Sequence, residues 1–254
     1  MGLGRRKVGL EDSSAWVFNR MAHVYDARPP YPQELVASIA SLAPLAARVG
    51  DFGAGTGHLA LPLAELGFDV VAIEPAQAML ERLRTRASAR GLSLQTLHAA
   101  AESTPLESAT LELAIIADAL HFLDAERTGL ELLRVLRPDG ALAVLLTRLA
   151  DTPYMRALEQ LMQEAAPRRP REVAPALAQL AAVAKVTLTH ELSVVDHTPV
   201  DAETLESILR SISFIGPAMN RERFAAFSQR VHALSERPVW SRRFVLISGC
   251  RHGS

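Results

Sequence analysis

The sequence is short of cysteine, of aromatic residues and of any excess of charge, and each shortage removes a class of function. A single cysteine, Cys250, among 254 residues makes neither a disulfide framework nor a thiolate metal site. It suits a reducing cytosol, so a cytoplasmic location is expected. Lys and Arg number 27 against 28 Asp and Glu, and the formal net charge is −1. No overall field is left to hold a nucleic-acid backbone, and no nucleic-acid partner is expected. The longest apolar runs, such as "LELAIIADALHFL", are interrupted by charges and too short to span a bilayer, so no membrane partner is expected either. The basic residues of "MGLGRRKVGLEDSSAW" have no apolar run behind them, which leaves no readable signal peptide. Arg6 stands where a myristoylation pattern needs Ser or Thr. There is no Cys/His/Asp set for a metal and no Gly-x-Ser-x-Gly nucleophile elbow, so no metal site is expected. Internal repeats and low-complexity tracts are also missing.

What is present is an alternation of strand and helix patterns. A polar arm over 1–14 precedes two helices, in "SAWVFNRMAHVYDA" and "PQELVASIASLAPL", separated by the helix-stopping "RPPYP". Then come a buried strand "RVGDFG", a helix "GHLALPLAELG", a strand "FDVVAIEP" and an amphipathic helix "AQAMLERLRTRASARG". Strands in "SLQTLHAA" and "TLELAIIADA" follow, a helix broken by "RPDG", and a strand "ALAVLLTRL". Such alternation predicts an α/β fold with a mainly parallel sheet covered on both faces. Beyond Ala150 the pattern predicts helices in "TPYMRALEQLMQEAA", "VAPALAQLAAVA", "DAETLESILRSI" and "RERFAAFSQRVHALSE", and strands in "KVTLTHELSVVDH" and "RRFVLISGC".

The turn "DFGAGTG" joins a predicted strand to a predicted helix. Glycines there allow positive φ and let a ligand approach the backbone closely. The run Gly53, Gly55, Gly57 is one residue tighter than the dinucleotide G-x-G-x-x-G, and His58 takes the place of its third glycine. No Gly-Lys-Ser/Thr follows, so it is not a P-loop. Glu74 ends the next strand about twenty residues after Gly53, the spacing at which an acid accepts both hydroxyls of a ribose without a 2′-phosphate. A nicotinamide oxidoreductase fits less well, because the glycine spacing is wrong.

Taken together, "VGDFGAGTGHLA", "VVAIEPAQAML", "AAAESTPLESATLELAIIADALHFL" and "LLRVLRPDGALAV" resemble, in order over residues 48–147, the class I S-adenosylmethionine-dependent methyltransferases. The resemblance implies a Rossmann-like doubly wound sheet of seven strands, the last antiparallel, with an N-terminal helical lid and helical insertions near the C-terminus. It divides the chain into an arm and lid over 1–47, a cofactor-binding core over 48–150, and remaining strands with acceptor-binding helices over 151–254. It implies S-adenosylmethionine as cofactor, with Gly53, Ala54, Gly55 and Gly57 around its methionine part and Asp51 near the amino group. Glu74 would bind the ribose, Pro75 and Met79 would lie near the adenine, and Ala101 and Glu102 would flank the adenine edge. Asp118 and Ala119 would line the methionine and the substrate entrance. Many relatives carry an acid before the Ala-Glu pair, where this chain has Ala100. The stretch "FNRMAHVYDARPPYP" resembles the lid of trans-aconitate- and ubiquinone/menaquinone-type methyltransferases. That places Tyr25 and Arg28 at the methionine carboxylate, a pairing that suits a guanidinium fork. Helix packing for Tyr25 and a solvated charge for Arg28 are the alternative.

The resemblance makes His121, just past the fourth strand, the candidate general base; a packing histidine is the other reading. The acceptor pocket is expected from 14–32, 118–124, 151–170 and 201–220, with Trp16, Phe18, Tyr31, Phe122, Tyr154, Phe214 and Met219. Their mixture suits a small, partly hydrophobic metabolite, as in secondary metabolism, methylated at O or N ahead of C. Tyr154, Phe214 and Met219 equally suit a core. "PRRPRE" is either a clamp for an anionic acceptor or carrier protein, or a solvated loop. A peptide or RNA acceptor, and cofactor binding without transfer, stay open as alternatives, as does the choice between monomer and homodimer.

Overall fold

The computed structural model describes residues 17–168 and 173–252; Trp16 and the arm before it lie outside them. Strands β1 (Arg48–Phe52), β2 (Asp69–Ile73) and β4 (Leu111–Ala117) are short and almost wholly buried. In β2 and β4 that follows from near-continuous runs of Val, Ile, Leu and Ala, as a sheet covered on both faces requires, whereas β1 is buried with Gly50 and Asp51 at its middle. With β3 (Gln95–Leu97), β5 (Leu136–Leu149), β6 (Val186–Pro199) and β7 (Val239–Arg251) they form a seven-stranded sheet in the order β3-β2-β1-β4-β5-β7-β6. Strands β3 to β5 pair in parallel, and β7 runs antiparallel between β5 and β6. The expected sheet, with its last strand antiparallel, is the one observed.

From β1 the chain winds outward to β2 and β3, then crosses to β4 on the other side. The reversal between β1 and β4 opens a crevice at the carboxyl ends of the strands, where such sheets bind ligands. One sheet face packs Phe52, Ile73, Leu111 and Ile116 under α5 (Ala125–Val135) and α7 (Val173–Ala184). The other packs Val49, Val70, Ile115 and Phe244 under α2 (Gln33–Ala40) and α3 (Ala60–Glu65). A separate cluster joins α6 (Pro153–Ala165), α8 (Ala202–Arg210) and α9 (Arg221–His232) to Trp240 of β7. Helix α1 (Val17–Tyr25) sits on α4 (Gln77–Ala89) through Met21, Ala22 and Met79. Asn19 of α1 accepts from the Ala78 N–H at 2.9 Å. It thereby caps the first turn of α4, whose own N-cap residue is Ala76 and supplies no side-chain bond.

Two elements depart from the sequence pattern. The helix expected from Gly57 begins only at Ala60, because turns occupy 55–59 and Gly57 is at φ +85°. The "RPDG" expected to break a helix from a strand lies within β5. Leu111 pairs Leu136 and Leu113 pairs Ala141, so Arg137 to Gly140 bulge opposite Glu112. None of the described helices is long and apolar enough to cross a membrane.

Candidate cofactor and acceptor site

A cavity of about 1170 Å³ occupies the crevice beyond β1, β2 and β4. Its floor is the glycine turn. The N–H groups of Gly53 and Ala54 both donate to the Ile73 carbonyl, at 2.8 and 3.1 Å, which pins the turn to the end of β2. Gly53 is at φ +81°, and a Cβ there would stand 2.7 Å from the Ala119 Cβ. Only glycine leaves that approach open. Glu74 is fixed by the same turn: Oε2 accepts from Gly55 N–H at 2.9 Å and Oε1 from Ala76 N–H at 2.8 Å. A carboxylate has about four acceptor positions, so about two stay available on Glu74. Burial pushes its carboxyl up to about 7 against those two bonds.

Asp51, one position from the end of β1, is 1% exposed, and neither carboxylate oxygen has a hydrogen-bond partner. Burial, then the charge of Glu74, push it up to about 7, against the downward pull of the Ala60 backbone N–H. An unpartnered buried carboxylate is costly, and here it lines the cavity. Asp118 follows β4 at φ +54° and is held by three donors. The Thr147 N–H and hydroxyl each donate at 2.6 Å, and the Tyr31 hydroxyl donates at 3.2 Å. Burial raises the Asp118 carboxyl despite these bonds.

The lid is built by α1 and the turn after it. Arg28 lies over the Tyr25 ring at 4.2 Å. Its Nε donates to Ser211 Oγ at 2.9 Å, Nη2 to the Ser211 carbonyl at 2.7 Å, and Nη1 to the Tyr25 hydroxyl at 3.2 Å. Three of its five donors are thus engaged, two of them with the end of α8. Arg242 of β7 fixes the next residues. Nη1 donates to the Pro29 carbonyl and Nη2 to that of Pro30, both at 2.8 Å, while Nη2 also meets Asp196 at 2.7 Å.

Of the residues expected in the site, Tyr25, Arg28, Asp51, Gly53, Ala54, Gly55 and Glu74 all line this cavity. So do Pro75, Met79, Ala101, Glu102, Asp118, Ala119 and His121. Gly57 does not. It faces away, where a Cβ would meet Leu83 Cγ at 2.9 Å and Leu61 Cγ at 3.0 Å, so its bareness serves packing of the turn on α4. Glu102 spends one oxygen on the Asp124 N–H at 3.0 Å, at the start of α5. His121 stands on the short 3₁₀ turn Leu120–Phe122, its ring 4.0 Å from that of Phe122.

Of the aromatic residues expected around an acceptor, Phe18, Tyr31, Phe122 and Phe214 line the cavity. Tyr154 and Met219 pack instead in the α6, α8 and α9 cluster. Arg168 lines the cavity and stacks on Phe214 at 3.6 Å; the rest of its stretch, 169–172, is outside the described residues. Sequence reasoning missed Thr147, Ser211, Trp240 and Arg242. Each lies far along the chain from its partner or from the glycine turn, and only strand pairing and helix docking bring it there. His58 was assigned to the glycine turn alone. It also reaches the lid, its Nε2 3.2 Å from the Arg28 carbonyl.

Residues 50–144 match the family model of the methyltransferase domain. Over these residues the chain is similar to methyltransferases. An uncharacterized methyltransferase of Mycobacterium tuberculosis is 42% identical over 118 residues, which are 46% of this chain and 46% of that protein. The chain therefore matches about half the length of that curated relative. A solved structure from Anaeromyxobacter dehalogenans, provisionally described as a Type II methyltransferase, superposes with a TM-score of 0.65. It is 23% identical and covers 89% of this chain and 99% of its own. The [4+2]-cyclase SpnF superposes with a TM-score of 0.60 at 20% identity, covering 96% and 95%. At these identities the two structures show the fold alone.

Proposed function

We propose that the protein is an S-adenosylmethionine-dependent methyltransferase acting on a small, partly hydrophobic metabolite, at oxygen or nitrogen in preference to carbon. The observation that carries this reading is Asp51, a buried carboxylate with both oxygens unpartnered at a glycine turn. Such a group calls for a cationic donor, and the ammonium of a methionine moiety is one. Glu74, already oriented by two backbone N–H groups, offers its free acceptor positions to the two ribose hydroxyls. Arg28 has two N–H donors left for a carboxylate. Pro75, Met79, Ala101 and Glu102 bound the adenine end.

S-Adenosylmethionine, when bound, supplies a methyl group activated on a sulfonium; the rest is alignment and exclusion of water. The acceptor enters between Phe18, Phe122, Met162, Ile208, Phe214 and Trp240, all of which line the cavity. His121 would take the proton of an acceptor hydroxyl or amine on an imidazole nitrogen as the acceptor is methylated. Calorimetry with S-adenosylmethionine and S-adenosylhomocysteine tests the binding half: saturable binding is expected, and no heat at millimolar nucleoside would overturn it. Formation of S-adenosylhomocysteine across an acceptor screen tests the transfer half.

A further inference from the structure

His58 fills the place where a dinucleotide turn would carry its third glycine, and neither the cofactor contacts nor the proton transfer proposed above uses it. Its ring nitrogens have two different neighbours. Nε2 lies 3.2 Å from the Arg28 carbonyl and Nδ1 lies 3.3 Å from Thr56 Oγ1. A carbonyl only accepts, so Nε2 carries the proton and Nδ1 accepts from the Thr56 hydroxyl. Thr56 Oγ1 in turn accepts from Arg86 Nη1 at 3.0 Å, and the Thr56 carbonyl accepts from the same nitrogen at 2.8 Å. Arg86 Nη1 also reaches Asp26 Oδ1 at 3.2 Å, and Asp26 Oδ2 takes Arg82 Nε at 2.9 Å. The connections form a closed circuit that leaves the lid at Asp26, crosses α4 and the glycine turn, and returns to the lid at Arg28.

We propose that His58 is a positioning residue that latches the lid to the glycine turn, holding the Arg28 backbone so that its guanidinium lines the cavity. The inference rests on reading the cavity as an S-adenosylmethionine site. The imidazole is suited to the task because it is a donor and an acceptor at opposite ends of one rigid ring. A neutral ring is also required between the Arg28 and Arg86 guanidinium groups, and burial, reinforced by those two charges, pushes His58 down to about 4. His58 does no chemistry in this role; it acts through Arg28.

The test compares His58→Leu, which removes both bonds, with His58→Gln, whose terminal amide nitrogen reaches the place of Nε2 and can still donate to the Arg28 carbonyl. Hydrogen exchange of residues 17–31 in the ligand-free protein reads the latch without any cofactor. In His58→Leu that exchange is expected to rise about fivefold to tenfold, the worth of roughly one hydrogen bond, while β1, β4 and β5 keep wild-type protection. The KM for S-adenosylmethionine should rise by about the same factor, with kcat at saturation within roughly twofold. His58→Gln should recover much of both. Wild-type exchange and KM in His58→Leu would overturn the latch. So would a glutamine variant as impaired as the leucine one, or a loss of protection spread evenly over the core. Failure of the wild-type protein to bind the nucleoside in calorimetry would overturn the cofactor reading instead, and the exchange measurement would still decide the latch.

Discussion

Tyr31 in the lid turn donates a hydrogen bond to Asp118 at the end of β4, joining residues 87 positions apart. Asp118 sits at φ +54°, a conformation non-glycine residues hold only when their surroundings compel it. The bond is therefore part of what holds the floor of the acceptor side. Tyr31→Phe is expected to cost about 1 kcal/mol in urea unfolding, the worth of one such bond. Thr147→Val should cost more, because it removes the 2.6 Å donor that shares Oδ2 of Asp118 with Tyr31. Equal midpoints for Tyr31→Phe and wild type would remove Tyr31 from this role.

Glu74 both orients the glycine turn and faces the cavity. Glu74→Ala should weaken S-adenosylmethionine binding by roughly 1–3 kcal/mol, since it unpairs two backbone N–H groups as well as the ribose hydroxyls. Glu74→Gln keeps one acceptor oxygen and should lose less. Isothermal titration of both variants against wild type decides the order.

The two buried acids predict a pH dependence. Asp51 and Glu74 are each pushed up to about 7 in the folded chain, from 3.8 and 4.5. The folded state therefore holds their protons more tightly than the unfolded state does. Their contribution to stability is full below about pH 4 and is lost as the pH rises through about 7. The melting temperature of the ligand-free protein should fall across that window. Asp51→Asn should flatten the fall and leave the variant more stable than wild type at about pH 8, by an amount on the order of a kcal/mol or more. The same variant should lose S-adenosylmethionine affinity. A melting-temperature slope in Asp51→Asn equal to that of wild type contradicts the assignment.

The two glycine positions should separate stability from binding. Gly57→Ala places a Cβ against Leu83 and Leu61 at positive φ, and should cost at least about 1–2 kcal/mol while leaving nucleoside affinity unchanged in the folded fraction. Gly53→Ala pushes a Cβ toward Ala119 inside the cavity wall and should lower affinity. Chemical unfolding and titration calorimetry on both variants would show whether the two effects separate.

His121→Ala should spare nucleoside binding and lower turnover, the pattern of a group used only when the proton moves. Unchanged kcat would remove His121 as the base.

How much of this was legible follows from what local sequence encodes. Strands β2 and β4 were readable because burial on both faces writes itself as a nearly unbroken apolar run, and the glycine turn after β1 because positive φ selects glycine. Glu74 was readable from its spacing. Thr147, Ser211 and Arg242 were not, because a threonine inside a strand or a serine after a helix carries no local mark of the partner it meets. Trp240 lies before the expected strand "RRFVLISGC", and only the start of β7 at Val239 brings it into the sheet beside the cavity. Gly57 misled for the opposite reason. A glycine needed for helix packing and one needed for ligand approach look alike in sequence, and the difference lies in whether Leu83 or a ligand stands over it.

Arg242 has a consequence for the order in which the molecule assembles. It belongs to β7, which inserts between β5 and β6, and it grips the carbonyls of Pro29 and Pro30. During synthesis the glycine turn, Glu74 and Asp118 emerge and can pair as strands long before residue 239 exists. The lid emerges earlier still, yet it has no anchor at its two prolines until β7 has slotted into place. The carbonyls of Pro29 and Pro30 therefore gain their Arg242 donors only once residue 242 has been made, after the residues of the cavity floor.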